Sequence, residues 1–327
     1  MNRQRLFKLV RWALALTLVA IVLTRLDLST VGASLAVLDA PTLAALLALT
    51  LVMPALLARR LQVLARPLVL AHGRGAREAT LPAVLSDALA AAATGTVLPS
   101  SIGGDVVRAL LVSDYFAGDG ARARAVSLIF VDRLVGLLAL STPPIILGLV
   151  WHRSALGGYA VAAALALALV TWQLSRVLTF AARLVPSRWP RARAFFDALP
   201  AGVASVPVGP RLEAFCWSVL YQGCVGSFFE LVAAKWGSDP RYHEAIWVGI
   251  PVAMVLTVIP LSIGGLGLRE GLFVGVFVLL GLPREEGLAL ALMWGFVGLA
   301  WALAGAAVFL WRAAKKKKVA SADLGGA

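Results

Sequence analysis

The chain has 327 residues, of which 60% are hydrophobic and 14% charged, with a mean hydropathy of +0.87. Soluble domains are nearer half apolar and about a quarter charged, so an ordinary soluble enzyme or binding domain is excluded. The net charge of +13 does not mark a nucleic-acid binder either, because the lysines and arginines cluster between long apolar runs rather than on one basic face.

In chain order, a basic stretch (1–11) precedes an apolar run at 12–24. No small-residue cleavage site follows that run, so it is expected to span rather than to be removed as a signal peptide. A second span covers 41–58 and leads into a basic connection, 59–80. Residues 81–112 are apolar but lie between two basic connections, 59–80 and 113–125, so the chain must enter and return on one side. The second half of this segment, Gly104 to Val112, is only about 14 Å long as a helix, too short for a hydrocarbon core of about 30 Å. A re-entrant or broken helical hairpin is expected there. Spans follow at 125–150 and 156–173. The proline-rich connection 174–210 carries amphipathic pieces, Arg176–Val185 and Arg191–Leu199, suited to the membrane surface. A span at 211–234, a second hairpin at 245–281 and a span at 287–311 complete the series. The expected fold is an all-α polytopic membrane protein with six full spans and two re-entrant hairpins. Residues 1–311 form one transmembrane unit, and 312–327 form a basic cytoplasmic tail.

The charges orient it. Of the 30 lysines and arginines, 22 fall in alternate connections and five in the others, while Arg108, Arg133 and Arg269 lie inside apolar stretches. By the positive-inside rule both termini are cytoplasmic, and the expected location is the cytoplasmic (inner) membrane. The basic connections and the Lys315–Lys318 tail also attract anionic headgroups.

One phrase occurs twice, 161 residues apart: LPSSIGGDVVR at 98–108 and IPLSIGGLGLR at 259–269. Each copy sits at the turn of a hairpin, and the elements around it recur in the same order with opposite direction. Residues 12–150 and 156–311 therefore read as an inverted-topology repeat, in which discontinuous helices meet near the bilayer midplane. Non-helical backbone at that depth must be buried in protein or line a polar cavity. Outgoing helices are expected to begin near Gly104 and Gly265, pointing unpaired N–H groups at an anion. Arg108 and Arg269 can grip a phosphate by charge-assisted, forked hydrogen bonds. The expected substrate-binding set is Ser101, Gly103, Gly104, Asp105 and Arg108 with Ser262, Gly264, Gly265, Arg269 and Glu270.

Other intramembrane charges are candidates because each is costly. Asp105 and Arg108, three apart, are placed to pair with each other. Asp132 and Arg133 are adjacent, so they need different partners, and Glu230 needs a donor. Asp87 heads the small-residue stretch Ala88–Thr96, which suits tight helix packing. These four are expected in structural or coupling roles. His72, His152 and His243 are scattered, with no metal-ligand spacing. Cys216 and Cys224 fall about 12 Å apart on one helix, too far for a disulfide. No catalytic residue, metal, cofactor or ATP-binding motif is read from the chain, and it is not expected to be an enzyme.

LPSSIGGDVVR, IPLSIGGLGLREG and FVDRLVGLLAL (130–140) resemble the signature segments of the lysylphosphatidylglycerol synthase transmembrane family, also called flippase-like. The resemblance covers about residues 5–312 and implies movement of a lipid between leaflets. Members of that family also occur joined to a cytoplasmic synthase domain, which is not expected here. The expected function is thus a flippase or transporter for a phosphate-bearing lipid, possessing as partners that membrane lipid and a separately encoded lipid-modifying enzyme. The alternatives are an accessory subunit for such an enzyme, or an intramembrane transferase on lipid-linked substrates.

Overall fold

A computed structural model of the chain describes residues 28–97 apart from Arg74 and Ala76, 101–150 apart from Asp119, 206–257 and 267–325, with Gly158, Ala162 and Phe180. The expected spans at 12–24 and, but for Gly158 and Ala162, 156–173 lie outside the described residues. So do Ser262, Gly264, Gly265 and nearly all of the 174–210 connection.

The described elements are helical. α1 (Leu28–Ala36) precedes α2 (Ala40–His72), α3 (Leu81–Val97), α4 (Ser101–Ser113), α5 (Ala121–Val150) and α6 (Val208–Ala233). α7 (Pro240–Glu244) runs through a π-helical turn (Ala245–Gly249) into α8 (Ile250–Leu256), and α9 (Leu268–Leu279) and α10 (Arg284–Gly325) follow. Four of these helices, α2, α5, α6 and α10, are long and apolar enough to cross a membrane. The protein is accordingly a multi-pass membrane protein.

Local chemistry sets several boundaries. Asp39 caps α2 by accepting the Thr42 N–H at 3.1 Å, and Pro41 occupies the first turn, where no N–H is missed. The Lys235 ammonium and the Thr42 hydrogen bonds hold the Asp39 carboxyl well below the usual carboxylate range. That same Lys235 pairs with Asp39 at 2.7 Å and joins the start of α2 to the end of α6. α2 does not stop near residue 58, as the basic run after it suggested, but continues to His72. Leu61, Leu64, Ala65 and Leu68 are buried along that extension, and their burial stabilises a helix that the charges alone would not predict.

α2 packs along α6, α5 against α4 and α6, α3 against α4 and α10, and α9 against α10. One core gathers Phe228, Phe229, Ile246, Phe273 and Phe277. A second gathers Leu61, Leu64, Val112, Tyr115 and Leu128. Leu43, Leu47 and Leu51 on α2, and Leu299 and Leu303 on α10, remain exposed, as lipid-facing side chains do when hydrocarbon is the solvent.

The small-residue stretch of α3 is where α10 comes closest: Ala90 and Ala91 are buried, and a Cβ at Gly305 would overlap the Leu89 carbonyl oxygen. Gly305→Leu is therefore expected to force α3 and α10 apart at a cost of about 1–3 kcal/mol. Thermal unfolding in detergent checks this. Gly298→Leu on the same helix, where an added Cβ meets nothing within 4 Å, should leave the midpoint unchanged.

The two copies of the repeated phrase fold differently. In the first, Ser101–Ser113 are helical, so Gly103 and Gly104 lie inside a helix. In the second, α9 begins only at Leu268, behind Gly267 at φ +77°. Glycine takes that left-handed backbone readily, whereas a β-branched residue does not. The first phrase has Val106 where the second has Gly267, so the first helix runs straight through. The Glu270 carboxylate accepts the Gly267 N–H at 2.7 Å and closes the start of α9.

Candidate functional site

The largest gathering of charge among the described spans lies where α2, α4 and α5 meet. Asp132 on α5 is fully buried. Arg60 on α2 grips it with both arms of its fork, Nε at 2.7 Å and Nη2 at 2.8 Å. Arg108 on α4 donates to the same carboxylate at 2.8 Å. The Arg60 guanidinium lies against Gly136, one turn beyond Asp132, where a Cβ would come within 2.9 Å of Nη1. One residue along, Arg133 holds Asp105 of α4 in a second forked pair, at 2.8 and 2.9 Å.

The expected pair between Asp105 and Arg108 is therefore not made; each finds its partner on α5. A within-helix pair three apart contributes only about 0.2–0.5 kcal/mol, while a two-armed bond across a helix interface adds geometry and strength. The expectation that Asp132 and Arg133 need different partners is met, because neighbours on a helix point about 100° apart. Three guanidiniums face two carboxylates, so the network carries a surplus positive charge. Its exposure is graded: the Asp132 side chain is 0% exposed and that of Arg133 is 47%. The Nε of Arg108 is buried with no hydrogen-bond partner among the described residues.

Arg108 lies about two turns into α4, roughly 10 Å from its first residue. Ser101, Gly103 and Gly104 lie in the first described turn of α4.

Arg269 is held in a separate cluster. It is the second residue of α9 and pairs with Glu270 beside it. Gly295 on α10 leaves room for its guanidinium, since a Cβ there would lie 2.9 Å from Nη2. The Nε of Arg269, like that of Arg108, is buried and without a hydrogen-bond partner among the described residues. Each copy of the repeated phrase therefore supplies an arginine with a spare buried donor.

Glu230 has the donors it was expected to need. Trp247 of the π-helical turn donates at 2.8 Å, and His243 Nδ1 lies 2.7 Å from the same oxygen. Asp87, fully buried in α3, is surrounded by donors: Arg77 at 3.1 Å, Arg312 of α10 at 2.7 Å, and the Tyr115 hydroxyl. Cys216 and Cys224 are free thiols. Among the described residues no group of three or more metal-ligating side chains is found.

Arg60 is the residue that sequence reasoning missed, because it was counted with the basic connection. A signal was present: Met53, Leu56 and Leu64 lie seven and four residues before it and four after, on one helical stripe. All three are buried.

Apolar spans that hold arginine–carboxylate networks in their interior define a polytopic membrane protein in which charge is kept inside the bundle. Residues 9–314 match the family described as the lysylphosphatidylglycerol synthase TM region, and the chain belongs to that family. No curated protein matches the chain. No solved structure matches it either.

Proposed function

We propose that the protein moves a phosphate-bearing lipid between the leaflets of the membrane. Family membership supports a lipid-related membrane function. The observation that carries the finer reading is the Arg60–Asp132–Arg108 and Arg133–Asp105 network inside the spans. Ionised groups at that depth are expensive, and a structural role alone is served as well by apolar packing. A network with surplus positive charge, one half-exposed guanidinium and an unpartnered Arg108 Nε is suited to accept an anion. In this mechanism the lipid phosphate takes over donors of Arg133 and Arg108, and Asp105 is released as the phosphate arrives. Arg269, with Glu270 as its resident counter-ion, would hold the headgroup in the other half of its path.

The packing supports two halves that exchange arms. α3, the first arm of one hairpin, lies on α10, which closes the second half; α8, the first arm of the other hairpin, lies on α5, which closes the first. Rocking of such halves exposes a shared site to each side in turn. Both termini on the cytoplasmic side and two re-entrant hairpins belong to this reading.

Native mass spectrometry with lipidomics on gently purified protein tests it. Arg108→Gln is a sound variant for folding, because Arg60 still neutralises Asp132. The wild type is expected to retain a specific anionic lipid that is lost from the Arg108→Gln, Arg269→Gln double variant. Retained lipids that match the bulk membrane, unchanged by the substitutions, would reduce both arginines to structural pairs.

A further inference from the structure

Beyond the charge network, a groove of about 540 Å³ opens between α5 and α6, within the roughly 300–1,000 Å³ range of small-ligand sites. Ala139, Thr142 and Ile146 of α5 form one wall and Val219 and Gly223 of α6 the other, with Trp247 at the end. All of the α5 and α6 residues that line it belong to helices long and apolar enough to cross a membrane, so the groove lies at hydrocarbon depth in this reading. Ala139 and Leu147 lie six and fourteen residues beyond Arg133, so the groove runs from about 9 to about 21 Å past the charge network along α5. It therefore lies to one side of the network, with its near end about 9 Å from Arg133 along α5.

Particular residues keep this space open. Gly223 faces it with nothing within 4 Å of an added Cβ. Pro143 sits in the facing wall of α5 and, with Pro144 next to it in the helix, removes two backbone N–H donors there. The Trp247 ring forms the end wall because it lies directly on Gly226, where a Cβ would overlap it. Glu230 fixes the ring's direction through the indole N–H, and His243 adds to the polar margin at this end, while Gln222 and Thr142 are the polar side chains of the walls. An apolar slot with a wet, aromatic end matches the way a lipid lies in one leaflet, with its polar part at the surface and its chains pointing inward.

We infer that this groove is a binding site for one hydrocarbon chain of a lipid in the leaflet at the α5 and α6 C-terminal ends. It delivers the lipid toward, or receives it from, the Arg133 end. That role rests on the lipid-transport reading above, but occupancy of the groove by a chain can be measured separately.

The test places photoreactive benzoylphenylalanine at Ile146, 54% exposed beside the groove, or at Leu220, 51% exposed on α6 outside it. The full chain is reconstituted in vesicles of phosphatidylglycerol and phosphatidylethanolamine, irradiated, and its adducts are identified by mass spectrometry. Lipid adducts at position 146 are expected to exceed those at position 220. They should fall several-fold when Gly223→Leu fills the groove, and likewise with Thr142→Phe from the opposite wall, while position 220 is unaffected. Equal labelling at both positions, insensitive to either filling variant, would mean ordinary surrounding lipid and overturn the inference. Adducts to peptides from residues 151–205 or from a second copy of the chain would overturn it too, by naming another occupant. If chain adducts persist at Ile146 while the arginine double variant changes no bound headgroup, the transport reading fails and the groove stands. Loss of the groove signal alone has the opposite meaning.

Discussion

Asp132→Ala is expected to be the most damaging single substitution within the spans, lowering stability by about 3–5 kcal/mol. The carboxylate is fully buried, and Arg60 and Arg108, which share it, have side chains only 8% and 13% exposed. Removing it leaves two guanidiniums without a counter-ion in the middle of the bundle. Their donors lose the carboxylate that both share, and their mutual repulsion is no longer offset. A large drop in the unfolding midpoint in detergent is the expected result. Asp132→Asn, which keeps one acceptor but loses the charge, should fall between. Combining Asp132→Leu with Arg60→Met and Arg108→Met removes the whole cluster and should restore most of the lost stability, since apolar replacement of a complete buried ionic group is often neutral or better. The triple variant should nevertheless fail to bind the anionic lipid. Stability and lipid binding would then separate, as they must if the charges serve function.

Asp87→Ala is expected to have an effect of similar size by a different route, again about 3–5 kcal/mol. Its carboxylate ties four parts of the chain together. Arg77 comes from the connection after α2, Asp87 itself from α3, Tyr115 from the segment after α4, and Arg312 from α10. Arg312 also reaches the Ser86 hydroxyl, and the Arg77 guanidinium lies 5.5 Å over the Tyr115 ring. Backbone bonds from Gly75 to Tyr115 and from Arg77 to Asp114, both 3.0 Å, join the same two connections. With the carboxylate gone, this end of the first hairpin should open, which limited proteolysis within 73–80 would detect together with a lower midpoint.

The Tyr115 hydroxyl adds a pH signature. Burial first, and then the neighbouring Asp87, push its phenol above the ordinary value of about 10. A raised pKa in the folded state means its contribution is fully present below that ordinary value and lost only as pH rises through the higher one. Stability of the wild type relative to Tyr115→Phe should thus be flat through neutral pH and decline only in strong alkali. Thermal unfolding of the two proteins between pH 6 and about 11 checks the sign.

Much of the architecture was legible because the solvent imposes it. Apolar length set the positions of α5, α6 and α10, and the apolar segment 81–112, broken at its Gly-Gly phrase, pointed to the paired helices α3 and α4. Arg60 was obscured because a run of arginines reads as an interface. Only the helical phase with Met53, Leu56 and Leu64 reveals that Arg59 and Arg60 part company: Arg59 reaches toward Glu213 at 3.5 Å, while Arg60 turns inward to Asp132. The exchange of partners between Asp105–Arg108 and Asp132–Arg133 is a property of how α4 meets α5, and spacing along one helix carries no trace of it. The turn ahead of α9 was visible in principle in the exchange of Val106 for Gly267, one of five differences between the two copies.

Transbilayer movement of a fluorescent phosphatidylglycerol in proteoliposomes, followed by quenching from outside, is the measurement that bears most directly on the central proposal. Wild-type protein is expected to make the inner-leaflet pool accessible faster than protein-free vesicles do, and Arg108→Gln with Arg269→Gln should remove most of that gain while the protein remains folded. A rate equal to that of empty vesicles across a panel of phosphate-bearing lipids, or one untouched by the double substitution, would contradict it.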